Sequence, residues 1–257
     1  MSLMSGKTVV ILGVANKRSI AWGIAQVLSE QGATLALNYQ NERMEEPVRK
    51  LAEELPTKPF LAPCDVTEQG QIDAFFAGVK EGLGGIDGLV HCLAFAKREE
   101  LGGSFTETSW EGYALAQHVS AYSLIATARA AAPLMEGRAG GIVSLSYYGS
   151  EKVVPGYNVM GVAKAALESS TRYLAHDLGP KNIRVNCISA GPVKTVSAMG
   201  VSNVSSLLDT MGEKAPLKRN ITQREVGTAA CFLLSDMASG ITGQVLYVDA
   251  GYSAMGA

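Results

Sequence analysis

Two side chains able to do proton chemistry, Tyr157 and Lys164, stand seven residues apart in the stretch 144–164, S-L-S-Y-Y-G-S-E-K-V-V-P-G-Y-N-V-M-G-V-A-K. On a helix that spacing is nearly two turns, which projects a phenol and an ammonium from one face about 10 Å apart along the axis. The lysine leans back toward the tyrosine, because helical side chains tilt toward the N-terminus. A phenol with an ordinary pKa of about 10 stays protonated at neutral pH, and a nearby cation makes the phenolate it leaves behind less costly. The pair is a candidate acid for a developing oxyanion. A blander reading is also open, in which a tyrosine after Pro155-Gly156 packs at a helix start and Lys164 faces solvent. The surrounding elements have to decide.

Residues 8–12, 33–39, 60–64, 86–92, 142–146, 183–188 and 245–249 read as strands, the first as an apolar run of the kind buried on both faces of a parallel sheet. Helices are predicted between them at about 20–31, 43–55, from 68, 110–135, through Tyr157 and Lys164, and 223–235. This alternation predicts an α/β fold: one Rossmann-like, doubly wound domain over 1–257, a seven-stranded parallel sheet with helices on both faces. Residues 1–5 read as a leader and about 196–220 as a mobile substrate-binding lid. Ligands bind such sheets at the C-terminal ends of the strands, where Gly13, Asp65, Leu93, Ser146 and Gly191 fall.

The turn at residues 13–23 leads from a strand into a helix start, whose amides and positive dipole suit a pyrophosphate. The G-x-G-x-x-G pattern is absent, with only Gly13 and Gly23 present and Ser19-Ile20 between them, so an ordinary strand-to-helix turn fits as well. The second strand ends in Gln40, followed by Asn41, Glu42 and Arg43. An acidic residue here commonly binds the ribose diol of NAD, and an Arg the extra phosphate of NADP. Gln40 can hydrogen-bond a diol and offers a phosphate no charge, which favours NADH; Arg43 keeps NADPH as the less favoured choice. Asp65 either accepts the adenine amino group, with Val66 against the ring, or caps the helix near Glu68. Small residues such as Ala94 and Ala96 leave room for a ligand.

The chain has 257 residues with a formal charge of −2, which gives no electrostatic footprint for nucleic acid. No apolar run reaches the roughly 18 residues of a membrane span, and no apolar segment of a signal peptide follows Met1, so a cytoplasmic protein is expected. Cys64, Cys92, Cys187 and Cys231 are widely spaced in apolar segments and read as reduced core thiols. Neither they nor His91, His118 and His176 show a metal-ligand spacing, so no metal is expected.

Together these residues resemble the short-chain dehydrogenase/reductase superfamily over nearly the whole chain. Ordinary members carry Tyr-x3-Lys with a partner Ser upstream; counting back from Lys164, those two positions hold Met160 and Tyr147. The set Tyr147, Tyr157, Met160 and Lys164, with Ser19-Ile20-Ala21-Trp22-Gly23 in place of the glycine fingerprint, looks like the divergent branch of bacterial enoyl-acyl-carrier-protein reductases of fatty-acid synthesis, which use Tyr-x6-Lys.

The resemblance implies NADH-dependent reduction of the double bond of trans-2-enoyl thioesters on acyl carrier protein, in a homotetramer. It makes Tyr157 the donor to the enolate oxygen, Lys164 the ligand of the nicotinamide ribose, and Tyr147 a wall of the acyl pocket that orients the thioester. Gly13, Ser19 and Ile20 would take the phosphates, Gln40 the adenosine ribose, and Asp65 and Val66 the adenine. Cys92, Leu93 and Ala94 would run beside the ribose and nicotinamide, and Val193 and Thr195 would meet the carboxamide and pyrophosphate. Ala96, Met160, Ala198 and Met199 would border the acyl chain. A carbonyl reductase of the same superfamily and a cofactor-binding sensor without turnover are the alternatives. Lys214, Lys218 and Arg219 are candidates for docking an acidic carrier protein.

Overall fold

The computed structural model describes residues 2–193, 195 and 204–256. Seven strands form one sheet: β1 (Thr8–Leu12), β2 (Thr34–Tyr39), β3 (Phe60–Pro63), β4 (Gly88–His91), β5 (Gly141–Ser146), β6 (Arg184–Ala190) and β7 (Val245–Val248). Their order is β3-β2-β1-β4-β5-β6-β7, and every neighbouring pair is parallel. The chain therefore reverses its direction of winding between β1 and β4, the point at which sheets of this kind bind ligands beyond the strands' C-terminal ends.

Helices cover both faces. On one side α1 (Ile20–Glu30), α2 (Glu42–Ala52) and α8 (Gln223–Leu234) bury Ile24, Leu28, Val48, Val226 and Leu233 against Val9, Ile11 and Val143. On the other, α3 (Gln69–Leu83), α5 (Ser123–Ala131) and α6 (Asn158–Leu178) bury Phe75, Leu124 and Leu167 against Val10, Leu89 and Val185. The strands are apolar on both faces because both faces are covered. Helices α4 (Trp110–Gln117) and α7 (Val204–Lys214) are the other α-helices among the described residues. Among the described residues no helix is long and apolar enough to cross a membrane.

Four expectations change. The helix expected at 110–135 is broken into α4, a five-residue π-helix at His118–Tyr122, α5, and a 3-10 turn at Ala132–Met135 that contains Pro133. Apolar periodicity registers none of this: the one serine of the π segment, Ser120, is bonded to Phe95, 25 residues away. Tyr157 does not lie within α6 but caps it: Gly156 turns at φ +80° and the Tyr157 carbonyl accepts the first helical amides, from Met160 and Gly161. The leader is docked, with Met4 1 % exposed and its amide on the Gln31 carbonyl. The expected lid contains α7, while residues 196–203, with Ala198 and Met199, lie outside the described residues.

Candidate active site

The first turn is held by contacts that leave its glycines no alternative. Gly13 has φ +103°, and a Cβ there would fall on the Cys92 carbonyl, so the turn and the residue after β4 touch backbone to backbone. Its amide donates to Asn38 Oδ1 at 3.0 Å, and Asn38 Nδ2 donates to the Cys64 carbonyl at 2.9 Å. Asn38, 4 % exposed on β2, thus ties the ends of β1 and β3 together. Ser19 caps α1: its hydroxyl accepts from the Trp22 amide at 3.3 Å and donates to the Asn16 carbonyl at 2.7 Å. Ile20 takes the first helical position, where amides point out of the helix. Gly23 faces the other way. A Cβ on it would stand 2.5 Å from Gln223, so its role is the close crossing of α1 and α8.

At the ends of β2 and β3, Gln40 Nε2 donates to Asp65 Oδ2 at 2.9 Å. Burial raises the Asp65 pKa, but hydrogen bonds from the Thr67 amide and hydroxyl and from Gln40 outweigh it and hold the carboxyl below its ordinary value. Asp65 therefore stays ionised, and Val66 is buried beside it. This pair has hydrogen-bonding capacity for a diol and an amino group, and it faces an extra phosphate with a negative charge. Arg43, on α2, is exposed.

After β4 the chain passes Cys92, Leu93, Ala94 and Ala96, and the intervening Phe95 is pinned on both sides. Its amide donates to Ser120 Oγ at 3.0 Å and its carbonyl accepts from the same hydroxyl at 3.2 Å. Ser120 is fully buried in the π-helix, and Ser123, three residues on, bonds His91 Nε2 at 2.7 Å. The π-helix thus supports the segment that follows β4.

The chemistry-bearing side chains stand at the end of β5 and the start of α6. Lys164 is 5 % exposed, and its Nζ donates to the Leu145 carbonyl at 2.6 Å. Burial lowers its pKa, opposed by Cys187, Cys92 and Glu168. Tyr157 and Tyr147 are half-buried and pack edge to face, ring centroids 5.0 Å apart. Burial first, and Tyr147 second, pushes the Tyr157 phenol well above its ordinary value; burial first, and Tyr252 second, pushes Tyr147 up to about 12. Desolvation, rather than the ammonium, therefore sets the acidity of Tyr157, which stays a protonated donor. Met160 is buried on the first turn of α6. The Tyr147 hydroxyl lies 3.5 Å from Met211 Sδ on α7. Val193 and Thr195 follow β6, the Thr195 amide donating to the Val193 carbonyl at 2.7 Å.

The structure thus places Gly13, Gln40, Asp65, Cys92, Tyr147 and Val193 just beyond the C-terminal ends of β1 to β6, with Lys164 reaching the end of β5 from α6. Sequence reasoning passed over Asn38, Gln223 and Ser120. A signal for Asn38 was present, a lone amide in the otherwise apolar run of β2, whereas Gln223, which donates to the Ser19 carbonyl at 3.1 Å, carries none. Two docking candidates are already engaged: Arg219 forms a bidentate ion pair with Glu225, and Lys218 donates to the Glu213 carbonyl.

A parallel sheet in this order, a glycine turn opening a helix, and a Tyr and Lys at the junction of β5 and α6 define a short-chain dehydrogenase/reductase. The family model described as enoyl-(acyl carrier protein) reductase matches residues 13–253. The chain is 52 % identical to the enoyl-acyl-carrier-protein reductase (NADH) of Bacillus cereus, over 100 % of both chains. It superposes with a TM-score of 0.98 on the Bacillus cereus enoyl-acyl carrier protein reductase solved with NADP+ and an indole naphthyridinone, at 51 % identity and covering 100 % of each chain. The enzyme of Aquifex aeolicus gives a TM-score of 0.96 at 47 % identity, covering 99 % of each chain. The chain belongs to the enoyl-acyl-carrier-protein reductase family.

Proposed function

We propose that the protein reduces the trans-2 double bond of enoyl thioesters carried on acyl carrier protein, with NADH, in fatty-acid synthesis. The observation that carries this reading is Tyr157: a protonated phenol at the mouth of α6, edge-on to Tyr147, with Met160 rather than a tyrosine four residues before Lys164. The relatives named NADH-dependent reductases support the cofactor, as does the ionised Asp65 beside Gln40.

In this reading Gly13, Ser19 and Ile20 hold the phosphates, Gln40 the adenosine ribose, and Asp65 and Val66 the adenine. Cys92, Leu93 and Ala94 lie along the ribose and nicotinamide, and Val193 and Thr195 meet the carboxamide and pyrophosphate. NADH, when bound, supplies the hydride for the β-carbon of the enoyl group. The electron pair of the double bond then gathers as an enolate on the thioester oxygen. Tyr157 donates its proton to that oxygen, the resulting enol tautomerises to the saturated thioester by taking a proton from solvent at the α-carbon and releasing the one on oxygen, and Tyr147 orients the thioester. Lys164 binds the ribose hydroxyls and adds positive charge to a desolvated site, where it counts for more than in water. An oxygen displaced from the carbon that accepts hydride calls for a donor displaced from the ordinary position, now held by Met160. Ala96, Met160, Ala198 and Met199 border the acyl chain.

The reading extends to a cytoplasmic homotetramer whose substrate arrives on an acidic carrier. Loss of reduced-cofactor absorbance with trans-2-enoyl thioesters, and none with 3-oxoacyl thioesters, tests it. Turnover confined to the 3-oxoacyl compounds would reassign the protein to carbonyl reduction; NADH binding without turnover on either would make it a sensor.

A further inference from the structure

Glu168 lies one helical turn beyond Lys164 on α6 and is 6 % exposed. A carboxylate so deep in a domain needs specific partners. One oxygen, Oε1, accepts two serine hydroxyls, Ser146 Oγ at 2.5 Å and Ser150 Oγ at 2.6 Å. Hydrogen bonds from hydroxyls to a carboxylate at such lengths are of the strong, charge-assisted kind. The two serines flank residues 147–149, so a single atom fixes both ends of the turn that carries Tyr147.

That turn has no slack against Tyr157. A Cβ on Gly149 would stand 2.6 Å from the Tyr157 ring, and a Cβ on Gly161 would stand 2.7 Å from the Gly149 carbonyl oxygen. The turn is therefore wedged between α6 and the ring of Tyr157, and any displacement of it is felt at that ring.

We propose that Glu168 is a positioning residue for the reduction: by clamping Ser146 and Ser150 it sets Tyr147 and, through Gly149, the ring of Tyr157 against the substrate oxygen. The proposal rests on the reading that Tyr157 is the donor to that oxygen. The essential property of Glu168 is an acceptor oxygen at that point, which a glutamine amide also supplies. Its charge also favours the ammonium of Lys164, a separate effect that glutamine would not restore.

The test compares wild type, Glu168→Gln, Glu168→Ala, Ser150→Ala and the double variant Glu168→Ala/Ser150→Ala, using NADH and a short trans-2-enoyl coenzyme A thioester. NADH affinity is measured separately by fluorescence titration. Glu168→Ala is expected to lower kcat about 10–100-fold, with the NADH Kd changed less than about 2-fold. Glu168→Gln should return kcat to within about 5-fold of wild type, and the double variant should be no slower than Glu168→Ala, because both changes break one clamp. Wild-type kcat in Glu168→Ala, a Gln variant as slow as the Ala variant, or parallel losses of kcat and NADH binding would each overturn the proposal. Should Glu168→Ala not fold, Ser150→Ala decides: a kcat equal to wild type rejects the clamp. A wild type that turns over no enoyl thioester instead overturns the donor reading, and the clamp with it.

Discussion

The ring of Tyr147 meets the ring of Tyr157 edge-on, with centroids 5.0 Å apart and planes at 75°. The contact joins the end of β5 to the start of α6, and it buries both phenols enough to keep them protonated far above neutral pH. A donor in such a place keeps its proton until negative charge develops next to it.

The wedge of Gly149 against that pair makes one substitution informative. Gly149→Ala adds a Cβ 2.6 and 3.0 Å from two atoms of the Tyr157 ring and 3.3 Å from Tyr147, at a backbone position without a positive φ. The ring must turn or the segment must move. Steady-state kinetics should show kcat down by about 10-fold or more, and denaturant unfolding a loss of about 1–3 kcal/mol. Unchanged kcat would mean that the orientation of Tyr157 does not matter to turnover.

Asn38 serves the cofactor turn from beneath. Asn38→Ala strands the Gly13 amide and the Cys64 carbonyl without their partner. An expected cost of about 2–4 kcal/mol, measured by urea unfolding, follows from two unpaired backbone groups. The NADH Kd should rise several-fold as the turn loosens; an unaltered Kd would place the turn outside the cofactor site.

His91 gives a pH signature. Burial, and then the Lys164 charge, lowers its pKa from 6.5 to about 3 in the folded protein. The folded state holds this ring neutral while the unfolded chain takes up a proton below 6.5, so the contribution to stability is complete above pH 6.5 and is lost as pH falls toward 3. Between pH 6.5 and 5 the slope from this residue approaches about 1.4 kcal/mol per pH unit. Unfolding titrations at several pH values should show that slope in wild type and a flatter one in His91→Gln; equal slopes would contradict it.

Cofactor preference turns on the Gln40 and Asp65 pair. Replacing the neutral amide by a cation in Gln40→Arg supplies a partner for an extra phosphate. The ratio of kcat/KM for NADPH over NADH should rise about 10-fold or more. A ratio that does not move would show that discrimination is set elsewhere.

The strands were legible because a doubly covered parallel sheet writes itself as short apolar runs, and the order of glycine turn, Gln40, Asp65 and the Tyr157 to Lys164 spacing followed from where those runs end. What stayed hidden was side-chain bonding across long separations. Glu168 and Ser146 lie 22 residues apart, and nothing in a helix of mixed polarity says that one glutamate turns inward. The π-helix at His118–Tyr122 is hidden for the same reason: Ser120 within it reaches Phe95, and Ser123, at the start of α5, reaches His91, partners that periodicity cannot see. Tyr157 moved from the body of a helix to its cap because the Pro155-Gly156 turn delays the helix start to Asn158.

Turnover of a trans-2-enoyl thioester by Tyr157→Phe, with NADH affinity measured alongside, tests the central claim most directly. Loss of the hydroxyl with retention of the ring is predicted to lower kcat about 10²–10⁴-fold while the NADH Kd stays within about 2-fold of wild type. A variant that keeps its kcat, or that loses NADH binding in step with it, would contradict the assignment of Tyr157 as the proton donor.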